Sequence, residues 1–148
     1  MLEVEMSQLL QEIEALRQPM KELNDFIFDH PELGNEEFQA HELLTNLLEK
    51  EGFAVDHEVS GLKTAFRAVY HVNGGGPKIG LLCEYDALEG LGHACGHNLQ
   101  GPSICTAAIA LKRTLKAPCT LVVYGTPAEE TASGKLVMAR EGVFDDLD

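Results

Sequence analysis

Two short apolar runs, KIGLLC at 78–83 and TLVVY at 120–124, constrain the fold of this chain most strongly. Neither alternates with polar residues over its length. The first suits a strand buried on both faces, and the second also reads as a buried strand. Strands of that kind need a layer of other structure against them. Between the runs, Gly101–Leu115 sets Ile104, Ala107, Ala108, Leu111 and Leu115 on one helical face. Pro102 then falls near the first turn, where a missing N–H costs nothing.

The preceding residues supply further layers. Met6, Leu9, Leu10, Ile13, Leu16, Met20, Leu23 and Ile27 recur at three-and-four spacing, the pattern of an amphipathic helix over 6–28. Pro19 marks a kink in it or a junction of two helices. A second helix runs from Asn35 to Lys50 on a stripe of Phe38, Leu43, Leu44, Leu47 and Leu48, and Gly52 stops it. Phe53–Val59 and Thr64–Val72 alternate like half-buried strands, and a last helix falls near Ser133–Glu141. Helices followed by strands that alternate with helices imply an α/β layered domain. Its helical N-terminal segment spans 1–52 and its strand-helix region 53–148.

At 148 residues the chain has the length of one domain and can bury a real core. Its net charge is −13, and residues 1–58 carry 15 acidic against 3 basic side chains. Phosphates need Lys and Arg to neutralise them, so nucleic acid is not an expected partner. The acids read as solvated helix faces. No apolar run reaches the length of a membrane span, and MLEVEMSQLL lacks the basic start and long apolar stretch of a signal peptide. The expected location is the cytoplasm, with no membrane partner. Cys83, Cys105 and Cys119 sit among apolar neighbours and read as buried, inert thiols, without the spacing of a disulfide framework.

The chemistry lies just after the two apolar runs. GLGHACGHNLQGP, at 90–102, places His93, Cys95 and His97 at alternate positions between glycines. Thiolate and imidazole together bind zinc, and Cys95 and His97 converge most readily on one ion. Two histidines flanking so short an arc would crowd it, so His93 is expected to hydrogen-bond rather than ligate. Glu129 and Glu130 follow TLVVY through a Gly-Thr-Pro turn. One carboxylate there can hold a metal while the other acts as general base. Glu84 and Asp86 alternate onto one face after KIGLLC, and Asp86 can orient a histidine ligand or touch the metal directly. Open α/β sheets build their sites at the carboxyl ends of strands, so these clusters can meet.

Together, EYDALEGLGHACGHN and GTPAEE resemble the aminoacylase and carboxypeptidase-type dinuclear metallopeptidases, closest to their amidohydrolase branch. HPELGNEEFQAHELLTNLLEKEGFAV and GLKTAFRAVY extend the resemblance over nearly the whole chain. Asn98, where many relatives carry Asp, is most similar to the p-aminobenzoyl-glutamate and β-alanyl-dipeptide hydrolases. Glu89 stands where relatives usually have Pro. The resemblance implies the N-terminal portion of a three-layer catalytic domain, with helices on a mixed, mostly parallel sheet. It places Cys95, His97 and Glu130 on metal ligands, Glu129 on the general base and Asp86 on a catalytic carboxylate beside the metals, with His93, Asn98 and Glu84 supporting. Two divalent ions, zinc or manganese, and a small amide or dipeptide substrate are implied, as is a homodimeric full-length parent.

The family also supplies two later histidine ligands and an inserted dimerisation domain, whereas no His follows His97 in these 148 residues. The expectation is therefore a site incomplete within 1–148 and little activity from this portion alone. Two other readings compete: Cys95 as a nucleophile with His97 as base, and a non-catalytic segment that pairs with another chain through an unfinished sheet edge.

Overall fold

The computed structural model describes residues 6–148; residues 1–5, the start of the stretch read for a signal peptide, lie outside them. The first helical pattern divides into α1 (Met6–Ala15) and α2 (Arg17–Asp29), and the break falls at Leu16. Pro19 is consequently the third residue of α2, in a first turn whose N–H groups have no intrahelical acceptor. Helix α3 (Phe38–Lys50) buries Ala40, Leu44, Thr45 and Leu48.

Four strands follow: β1 (Ala54–His57), β2 (Phe66–Val72), β3 (Lys78–Cys83) and β4 (Cys119–Gly125). They form one mixed sheet in the order β1-β2-β4-β3. The β1–β2 and β2–β4 pairs are antiparallel and β3–β4 is parallel. Parallel pairing therefore does not predominate among these strands. The tight Asn73–Pro77 turn region brings the chain out of β2 without a crossover helix, so β2 runs against its neighbours.

Strand β4 is the central one, buried at every residue. Its Leu121 and Val123 join a core with Leu44, Leu48, Phe66 and Ile109, beneath helices α1–α4. Its Val122 and Tyr124 pack on the other face with Ala65 and Met138, the latter from α5 (Gly134–Arg140). These are the three layers. KIGLLC departs from expectation because β3 lies at the sheet edge, where Leu82 is 40% exposed. An apolar run reports a strand but not its rank in the sheet.

Helix α4 (His97–Thr114) begins four residues before the expected Gly101. Gly96, at φ 83°, adopts the left-handed turn that starts it, a conformation that glycine enters without a Cβ penalty. Pro102 therefore lies inside the helix, where it withholds an N–H from the Asn98 carbonyl. His97 is the first residue of a rigid element instead of part of a loop. Among the described residues no helix is long and apolar enough to cross a membrane.

A histidine pair joins α3 to β1. His57 Nδ1 lies 3.4 Å from His41 Nε2, and the His41 ring meets the Phe66 ring at 65°. Burial, then the charge on His57, lowers the His41 pKa below 6.5, against an opposing pull from Glu58. The unfolded chain therefore takes up a proton near that pH that the folded chain resists, so this contribution to stability is lost as pH falls through it. Urea midpoints measured from pH 7.5 to 5 should decline, and His41→Phe should flatten the decline. An equal slope in both proteins would rule His41 out as its source.

Candidate metal centre

Parallel pairing of β3 with β4 brings their carboxyl ends to one edge of the sheet. Thr126 N–H donates to the Cys83 carbonyl at 2.9 Å, tying the two exits together. Beyond Cys83, the buried Tyr85 stacks on Phe66 and donates its hydroxyl to the Thr64 carbonyl. That anchor holds Glu84 and Asp86 on either side of it against the start of α4. The two acidic residues and the Glu129-Glu130 pair thereby surround His97.

Asp86 is 1% exposed and its two oxygens have different partners. Oδ1 lies 3.0 Å from His97 Nδ1, and Oδ2 accepts the Glu130 backbone N–H at 3.0 Å. The Asp86 carbonyl is a second acceptor, 3.1 Å from the same ring nitrogen. Two acceptors at Nδ1 assign the proton of a neutral imidazole to that nitrogen. The lone pair then resides on Nε2, facing Glu84 Oε2 at 3.2 Å, Glu129 Oε2 at 3.9 Å and Glu130 Oε1 at 3.9 Å. Acceptors aimed at one another repel unless a proton or a cation lies among them.

The donor chemistry fits a divalent metal. Ligand atoms of Glu84, His97 and Glu129 all lie within 4.8 Å of one another. One imidazole nitrogen with carboxylate oxygens suits zinc or manganese. The carboxylate behind the histidine reproduces the arrangement that orients metal-bound imidazoles. The Lys135 ammonium, which donates to Glu84 Oε1, balances part of the negative charge.

Each residue singled out from sequence can now be placed. Glu84, Asp86, His97, Glu129 and Glu130 come together, with Glu84 closer to His97 Nε2 than either member of the Glu pair. Cys95 is exposed and stands outside the three mutually close donors. The neighbouring Glu130 carboxylate, followed by burial and by Glu129, raises its thiol pKa. The His97 nitrogens face Asp86 and Glu84, so the imidazole is not directed at the thiol as its base, which counts against the reading of Cys95 as a nucleophile with His97 as base. Asn98 donates to Asn24 Oδ1 at 2.7 Å and so ties α4 to α2.

His93 departs from the hydrogen-bonding part expected of it. It is buried with both ring nitrogens unpaired, the Ile27 carbonyl beside it lying outside hydrogen-bonding geometry. Burial lowers its pKa and favours the neutral ring. Two contributors had no signal in the sequence: Lys135, delivered by α5, and Gln100, whose Oε1 accepts the Glu84 N–H at 2.6 Å.

No family model matches the chain. Over 92% of its length it is 44% identical to one of the subunits of the p-aminobenzoyl-glutamate hydrolase of Escherichia coli K12, covering 32% of that protein. It is 42% identical to the Xaa-Arg dipeptidase of Mus musculus, over 85% of this chain and 32% of the relative. A Bacillus subtilis dinuclear metal binding peptidase of the M20 family superposes with a TM-score of 0.78 at 24% identity, over 91% of this chain and 42% of that one. The chain carries part of the fold of this M20 metallopeptidase. A second superposition is with an aminobenzoyl-glutamate utilization protein of Klebsiella pneumoniae, TM-score 0.74 at 21% identity, over 95% of this chain and 44% of that one. The chain thus spans about a third of the length of the curated relatives it matches (32% for each of the two named).

Proposed function

We propose that this chain supplies one side of the active site of a divalent-metal-dependent hydrolase that cleaves the amide or peptide bond of a small N-acyl amino acid or dipeptide. The observation that carries the proposal is His97, anchored through Nδ1 by a buried carboxylate while Nε2 faces three others. His97, Cys95 and Glu130 would hold metal by family resemblance, and Glu84 is added by its position. A bound divalent cation supplies a Lewis acid for the amide carbonyl and lowers the pKa of a bound water.

The chain's own residues do the rest. Asp86 fixes the tautomer and direction of His97 and, through the Glu130 N–H, the start of the Glu loop. Glu129 has a side chain 36% exposed, against 18% for Glu130 and 15% for Glu84. It is therefore the carboxylate most open to water and substrate. Its Oε2 is assigned to take the proton of the attacking water and return it to the departing amide nitrogen. Gln100 and Lys135 hold Glu84 at its backbone and its carboxylate.

The substrates of the relatives, p-aminobenzoyl-glutamate and Xaa-Arg dipeptides by their names, are the first compounds to assay. Homodimerisation and a cytoplasmic location are parts of the same proposal. In the natural protein, Glu129→Gln should lower kcat by about 100- to 10,000-fold, the usual span for loss of a general base. Zinc or manganese binding should persist in that variant. Hydrolysis that survives both metal chelation and Glu129→Gln would sink the reading.

A further inference from the structure

Glu37, the residue before α3, is a fully buried carboxylate, 0% exposed. Oε2 accepts the Thr64 hydroxyl at 2.7 Å and Oε1 accepts the backbone N–H of Ala128 at 2.8 Å. Ala128 immediately precedes Glu129 and has φ 57°, in the left-handed region. An L-residue is strained there, and the strain persists only where the surroundings over-determine it. The surroundings here are specific. Ala128 accepts from Ser133 N–H at 2.6 Å and Thr131 N–H at 3.3 Å, and the loop carrying Glu129 and Glu130 curls back on itself.

Nothing in packing alone calls for an acid at position 37. Burial raises its pKa, and its hydrogen-bond partners are a hydroxyl and backbone amides, with no cation among them. A buried carboxylate stabilised only by hydrogen bonds is an expensive way to fill space, since an apolar side chain would fill it without desolvating a charge. What an apolar residue cannot do is accept the Ala128 N–H. The Glu loop is thereby tethered at both ends of its first step: Ala128 N–H to Glu37, and Glu130 N–H to Asp86 Oδ2. Glu129 lies between the two tethers.

We infer that Glu37 is a positioning residue for the hydrolytic site, clamping Ala128 in its left-handed conformation so that Glu129 and Glu130 face His97. The inference rests on the metal-hydrolase reading for its functional meaning, but the clamp itself is a separate claim about backbone geometry. Glu37 touches neither metal nor substrate and acts through the loop. Its length matters, because one side chain must reach both Thr64 and Ala128.

Glu37→Asp shortens the reach, Glu37→Gln keeps it with one acceptor oxygen, and Thr64→Val removes one partner while leaving the Ala128 bond. Zinc affinity, measured by competition with a chromophoric chelator, should fall about 10- to 100-fold in Glu37→Asp, the usual loss when a supporting residue is removed. It should stay within about threefold of wild type in Glu37→Gln and Thr64→Val, although the Thr64 variant should lower Tm. The backbone amide resonances of Glu129 and Glu130 should move in Glu37→Asp and hold in Thr64→Val. A Glu37→Asp protein with unchanged zinc affinity and unchanged amide resonances overturns the clamp. Wild-type protein that binds no zinc overturns the metal reading instead, and the amide resonances still decide the clamp.

Discussion

Replacing His97 with alanine is expected to abolish the stabilisation of this protein by zinc. A ligand that binds only the folded state raises stability by RT ln(1 + [L]/Kd), about 2.7 kcal/mol when its concentration is 100 times Kd. His97 provides the imidazole nitrogen at the meeting point of Glu84, Glu129 and Glu130, so its removal takes the nitrogen donor from the ion and leaves the carboxylates and Cys95 to hold it. Loss of a supporting residue around a metal ligand typically costs about 10- to 100-fold in affinity, and loss of the ligand itself should exceed that.

The same substitution leaves Asp86 Oδ1 buried without its ring partner, so the metal-free variant should also be less stable. The two effects separate by thermal denaturation with and without zinc. Wild type should show a zinc-dependent rise in Tm, and His97→Ala should show a lower baseline and no rise. A full rise retained in His97→Ala would place the ion elsewhere.

The second large effect belongs to Gly125, at the end of β4, and comes from lack of space. Phe66 stands directly across from it in the β2–β4 register. A Cβ built at position 125 would fall 2.2 Å from Phe66 Cδ1, 2.3 Å from Phe66 Cε1 and 2.7 Å from the Tyr85 hydroxyl. Neither ring can retreat easily. Both are fully buried, their centroids are 6.1 Å apart in a stack, and the Tyr85 hydroxyl is bonded to Thr64.

Overpacking a core commonly costs about 1–3 kcal/mol, and contacts this short against two immobile rings belong at the upper end or beyond. Gly125→Ala should lose at least about 2 kcal/mol in urea denaturation on that basis, and Gly125→Val should not yield a folded protein. Adding Phe66→Leu to Gly125→Ala should recover part of the loss by vacating the ring's position. A Gly125→Ala protein within half of that expected loss would mean that the β4 exit is more yielding than its contacts indicate. The exit also leads into the Glu loop, so zinc affinity should weaken along with stability.

Much of this architecture was legible in residue periodicity. Three-and-four spacing identified the helices because a helix buries one stripe whatever it packs against. The β4 run identified a buried strand because both faces of TLVVY meet apolar layers. The same logic overstated β3, since an edge strand beside a buried neighbour can be equally apolar. It also misplaced the start of α4, because the backbone turn at Gly96 precedes the apolar stripe by several residues. Pro102 looked like a first-turn residue and is an interior one for the same reason.

The centre divides along the same line. Its residue types and their positions after strand ends are local facts, which is why Asp86, His97, Glu129 and Glu130 could be named from spacing and motif. Partner choice is not local. Asp86 divides its oxygens between a ring on α4 and an amide beyond β4, Lys135 reaches Glu84 from α5, and Glu37 reaches Ala128 across 91 positions. By itself, then, the sequence determined the layered α/β class, the helices and strands, and the acid and imidazole groups available for chemistry. The strand order, the direction of each His97 nitrogen and the clamp on the Glu loop were decided only by the tertiary structure. Periodicity records what an element buries, whereas those three depend on which distant element does the burying.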